Sequence, residues 1–76
     1  MSSVKFKKDS KEWKMFKDLW DMCQRFWIPE STKEYWDEVS DAVESFNSKY
    51  SDIHPMVREL CIAFLEGLDK KQQENM

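Results

Sequence analysis

Glycine occurs once in the 76 residues, proline twice and histidine once, and no stretch stays apolar for long. Each scarcity excludes something. A β-rich fold needs many tight turns, built from Gly, Asn-Gly or Pro in numbers that are missing here. A single Gly cannot supply a phosphate-cradling loop or a Gly-x-Ser-x-Gly nucleophile elbow. A single His leaves no Cys/His or Ser/His/Asp set, so neither an enzyme nor a bound cofactor is expected. His54, Cys23 and Cys61 show no Cys-x-x-Cys or His-x-x-x-His spacing, so no metal site is expected either. No apolar run approaches the roughly 18 residues of a membrane span. The opening MSSVKFKK lacks the apolar segment of a secretory signal, which predicts a cytoplasmic protein with reduced thiols. Cys23 and Cys61 then read as small buried hydrophobes, with a bridge between them as the lesser alternative.

What the chain does have is bulk. Apolar residues make up 41%, among them four Trp, two Tyr and five Phe, against a net charge of only −3. Disordered chains are poor in aromatics, so a folded domain is expected. The length allows one domain with a small core and modest stability.

Three segments carry helical periodicity, over about 10–27, 32–49 and 53–67, flanked by an arm at 1–9 and a polar tail at 70–76. In the first, Trp13, Phe16, Trp20, Cys23 and Trp27 step by three and four, and Met15, Leu19, Met22 and Phe26 form a second row alongside. Asp9-Ser-Lys-Glu12 has the spacing of a capping box, and Pro29 ends the segment. The second opens on Ser31-Thr-Lys-Glu34, again a capping box, and continues through Trp36, Val39, Val43, Phe46 and Tyr50, widened by Tyr35 and Ala42. Asp52 is the expected cap of the third, with Pro55 in its first turn and Val57, Leu60, Cys61, Phe64, Leu65 and Leu68 as its buried stripe. Gly67 reads as a left-handed C-cap followed by Leu68, with an interior glycine and a helix running on to Lys70 and Lys71 as the alternative. The expected architecture is all-α: a small antiparallel three-helix bundle with a lysine-rich N-terminal arm.

Trp13, Trp20 and Trp27 recur every seven residues and so stay near one face of a helix. Either they form the core, or they are a contact seam for another protein or a second copy, since Trp is enriched at binding hot spots. A domain this small has room for few indoles at its centre, and Trp36 competes for that room. The expected interaction surface is therefore Trp13, Lys14, Lys17, Trp20 and Trp27, an apolar patch rimmed by charge.

Charge is unevenly placed. Residues 1–17 hold six lysines against Asp9 and Glu12, a balance of +4, while residues 18–76 hold six basic against thirteen acidic residues, a balance of −7. A basic end suits an anionic partner, or it is simply a solvated surface. Specific DNA binding is disfavoured. The third helix offers Arg58 and little else to read bases, and an acidic body repels phosphate. Glu34 with Glu38 and Asp37 with Asp41 lie at helical spacing, but no third ligand group is visible, so they read as a solvated acidic face.

The stretch from Phe16 to Leu68 resembles small all-helical proteins of phages, prophages and mobile elements of Gram-positive bacteria. The resemblance lies in Phe16-Lys-Asp-Leu-Trp20, Tyr35-Trp36 just after the Pro29 loop, Phe46 to Tyr50, and the apolar third helix. It implies a small protein that binds a host or phage macromolecule as an inhibitor or adaptor, and brings no catalytic residues with it. The expected function is thus a non-enzymatic protein–protein interaction module, acting on a protein partner or as a homodimer. The alternative is a nucleic-acid or nucleoprotein-associated factor using the lysine-rich end.

Overall fold

The computed structural model describes residues 3–74. It contains three helices and, among the described residues, no strand: α1 (Lys11–Arg25), α2 (Lys33–Tyr50) and α3 (Met56–Glu74), 72% helical in all. Residues 1–2 of the expected arm and 75–76 of the expected tail lie outside the described range.

The caps decide where each helix starts. Of Asp9 and Ser10, the two candidate starts of the first helix, Ser10 caps α1: its hydroxyl accepts from the Trp13 N–H at 3.3 Å. Asp9 takes a left-handed backbone with φ 69°, a conformation that Asp tolerates better than most residues. Thr32, not Ser31, caps α2, its hydroxyl accepting from the Tyr35 N–H at 3.2 Å. Ser and Thr cap almost equally well, so a Ser-Thr pair leaves the register open and the downstream packing chooses it. Asp52 caps nothing; it pairs with Lys11. The start of α3 is held instead by His54, whose Nδ1 accepts from the Met56 N–H at 3.0 Å. Pro55 sits just before Met56, where its missing N–H is no loss.

The ends also differ. The first helix stops at Arg25, two residues before the expected end, and Phe26 turns out of it at φ −111°, ψ 17°. The freed Phe26 carbonyl accepts from the Tyr35 hydroxyl at 2.8 Å, and the two rings meet edge-on at 5.7 Å. That contact fixes how the chain passes from α1 to α2. Gly67 is not a C-cap. It is interior to α3, which runs seven residues further through the expected polar tail.

The middle helix is the centre of the assembly and packs on both neighbours, while α1 and α3 touch each other less. It contributes Tyr35, Val39, Val43, Phe46 and Tyr50 to the core, and α3 adds Val57, Cys61 and Leu68. Trp36, Ala42, Leu60, Phe64 and Leu65 pack against that core half-buried. These match the expected inner faces of the second and third helices. The first helix divides its broad apolar face between the core and the surface. Its buried row is Met15, Met22 and Phe26, with Leu19 beside them, while Phe16, Trp20 and Trp27 are exposed and Trp13 and Cys23 half-exposed. The row of slimmer side chains lets the backbones of α1 and α2 come close, which a row of indoles would prevent.

Across the two helices Lys11 meets Asp52, Asp18 meets Lys49 and Tyr50, and Arg25 meets Glu38 at 3.7 Å. The molecule measures 43 × 26 × 20 Å with a radius of gyration of 13.8 Å, more extended than the ~11 Å of a compact chain of this length. An elongated shape leaves more apolar surface in water.

Two stability measurements check these assignments. Thr32→Ala should cost about 1 kcal/mol in equilibrium unfolding and Ser31→Ala only a few tenths; the opposite order would return the cap to Ser31. A Cβ at Gly67 meets no atom within 4 Å, so Gly67→Ala should stabilise the protein by about 0.5–1 kcal/mol.

Candidate functional site

Four of the five side chains expected to form a contact surface lie on or beside one outer face of α1. Trp13, Lys17 and Trp20 step by four and three along it, with Phe16 between them, and Trp27 follows just past the helix end. Trp20 is 64% exposed and Trp27 59%. Trp13 is half-buried, and Lys17 reaches Asp21 at 3.3 Å on the exposed surface. Lys14 is exposed at the edge of that face: at 100° per residue it sits about 120° round the helix from Trp20, beside the azimuth of Asp21.

The structure adds residues that periodicity could not place. Phe6, from the segment preceding α1, stacks on Phe16 with ring centroids 5.6 Å apart. It extends the patch toward the N-terminus. Lys71 lies over the Trp27 ring, 3.8 Å from its centroid. It was expected in a frayed tail, and the helix through Gly67 is what brings it there. Cys23, Trp27, Phe64, Gly67 and Lys71 line a cleft of about 380 Å³. Met56, Ile62 and Ile28 are also exposed.

A second, wider groove opens between α1 and α2, lined by Asp18, Asp21, Arg25, Asp41 and Lys49 among others. Asp18 and Lys49 pair with each other within it, while Asp21 and Arg25 pair with Lys17 and Glu38 beside it. Asp18 accepts from the Tyr50 hydroxyl and from Lys49 Nζ at 3.2 Å. The Tyr50 hydrogen bond, aided by Lys49, holds the Asp18 carboxyl below the usual aspartate value. Burial, then the hydrogen bond to Asp18, pushes the Tyr50 phenol up.

Other chemistry-bearing groups are also occupied or inert. The carboxylate pairs on α2 do not converge: Asp37 pairs with Lys33 at 3.5 Å and Glu38 with Arg25. Among the described residues no three His, Cys, Asp or Glu side chains are placed to hold a metal ion. Both cysteines are free, and burial raises both thiols above their ordinary value, which makes them poor nucleophiles. No helix among the described residues is long and apolar enough to cross a membrane.

The Asp18–Tyr50 pair sets a pH dependence. A carboxyl whose folded value is lowered contributes stability above its ordinary value, near pH 4, and that contribution is lost as pH falls through the folded value. A phenol whose folded value is raised contributes below about pH 10, and the contribution is lost as pH rises further. Tyr50→Phe removes the main cause at Asp18. The carboxyl should then titrate nearer the ordinary aspartate value by NMR, and the acid limb of the unfolding profile should flatten. An unchanged acid limb would show that Asp18 is held by something else.

Compared with protein-family models, with curated proteins and with solved structures, the chain matches none.

Proposed function

We propose that this chain is a non-enzymatic protein–protein interaction module: an antiparallel three-helix bundle with a lysine-rich N-terminal arm, which binds a protein surface through the outer face of α1. One observation carries the reading. Trp20 and Trp27 stand 64% and 59% exposed on a chain that has a formed core without them. An exposed indole in water costs free energy that a contact recovers, and Trp is the residue most enriched at binding hot spots. Phe6 and Phe16 enlarge the patch, and Lys17 and Asp21 give it a charged rim, the composition of a typical contact site.

A cytoplasmic role as an inhibitor or adaptor, of phage or mobile-element origin, fits this reading and rests on the sequence resemblance alone. The nucleic-acid alternative is weakened by the lysines themselves. Lys11 is engaged by Asp52 and Lys17 by Asp21, which leaves less positive charge free for phosphate. Asp37 and Glu38 add to an acidic surface on α2.

Affinity capture with wild-type protein and with the Trp20→Ala variant, in low and in moderate salt, separates the two. Retention by wild type in moderate salt with loss in the variant supports the apolar contact. Binding that the variant keeps but salt abolishes would point to lysine–phosphate contacts. In parallel, iodide should quench part of the tryptophan emission and Trp20→Ala should reduce the quenched fraction; four shielded indoles would remove the basis of the reading.

A further inference from the structure

Resting on the interaction-module reading, we propose that the partner is a second copy of this chain. The two α1 helices cross head to tail about a two-fold axis at Trp20. The first argument is the spacing of the aromatics. Trp13 lies seven residues before Trp20, about 10.5 Å along the helix at 1.5 Å per residue, and Trp27 seven residues after it, just past the helix end. A two-fold axis through Trp20 sets that indole against its own copy and turns the Trp13 end of one chain toward the Trp27 end of the other. Indoles then stand on both sides of the axis, as an isologous interface requires.

The second argument is the rim. Lys17 and Asp21 are both exposed, with side chains 54% and 56% accessible. The same axis brings Lys17 of one chain within about two residues, roughly 3 Å along the helix, of Asp21 of the other, which is within a lysine's reach. A rim of one sign would repel its own copy; a rim of alternating sign pairs with it.

The third argument is area. Phe6 is 45% exposed, Phe16 37%, Trp20 64% and Trp27 59%. At the size of such side chains this amounts to on the order of 450 Å² per chain. Two copies then bury about 900 Å², the size of a weak, transient contact. A weak, reversible dimer is the form that such an area supports.

Sedimentation across a concentration series up to about 1 mM, the range of a Kd worth measuring for such an area, tests the proposal. It compares wild type, Trp20→Ser, Lys17→Glu, Asp21→Lys and an equimolar mixture of the two charge variants, each checked for helix content. The wild type should pass from one chain to two as concentration rises, and Trp20→Ser should stay monomeric. Each charge variant alone should dissociate about tenfold more readily, because the axis repeats each like-charged contact twice. The mixture should recover wild-type affinity as a heterodimer, since each new charge then meets its opposite across the interface. A dimer that none of these changes weakens, variants that the mixture does not rescue, or a higher oligomer would overturn the two-fold arrangement. A wild type that is monomeric throughout also overturns it. In that last case, iodide access to Trp20 would leave the interaction-module reading standing for another protein, whereas shielded indoles would remove both.

Discussion

The first helix has more apolar surface than its neighbours can cover, and that mismatch governs the rest of the structure. Between Trp13 and Trp27 it bears two rows of large apolar side chains, spread over about half its circumference. In a chain of 76 residues only one row can face the interior, because so small a domain buries a limited share of its surface. The row that enters is Met15, Met22 and Phe26, flanked by Leu19. Its side chains are slimmer and, in the methionines, flexible, so they fill the space beside Val39, Val43 and Phe46 without pushing the helices apart. Burying the indoles instead would widen the core and leave voids that the small aliphatic residues of α2 and α3 could not fill.

Polar contacts then fix how the helices meet. Lys11–Asp52 at one end, Asp18 with Tyr50 and Lys49 in the middle, and Tyr35 on the Phe26 carbonyl at the other end join the first two helices along their length. The exposed ion pairs among them add little stability individually. The two tyrosine hydroxyls matter more, because each lies at the edge of the core, where an unpaired polar group is costly. Among the described residues no buried side-chain nitrogen or oxygen lacks a partner. What the polar contacts select is which face of α1 turns inward, and hence which face is left for a partner.

Most of the fold was legible in the sequence, and the parts that were not share a cause. Helix number, the inner faces of α2 and α3, and the aromatic bulk all follow from spacing, which local chemistry dictates. The starts of the helices were not fixed by spacing because Ser31 and Thr32, or Asp9 and Ser10, are near-equivalent caps whose choice depends on packing further along. Gly67 was read as an end because glycine so often is one, yet nothing at that point forces a left-handed turn. The two rows of α1 could not be ranked by hydrophobicity, since both are strongly apolar; only the width of the gap beside α2 decides between them. The tryptophans of α1 stood out by their spacing, and of them Trp20 and Trp27 lie exposed while Trp13 is half-buried; Lys71 over Trp27 was invisible without the chain's path.

The arrangement of α1, with the methionines and Phe26 inside and Trp20 outside, underlies everything built on it. Equilibrium unfolding of Met22→Ala beside Trp20→Ala, in dilute solution, tests it most directly. Met22 is 8% exposed and Trp20 64%. The account predicts that Met22→Ala loses about 2–5 kcal/mol and that Trp20→Ala changes stability by no more than about 0.5 kcal/mol. A large loss at Trp20 with a small one at Met22 would mean that the indoles form the core, and would contradict both the fold of α1 and the contact surface built on it.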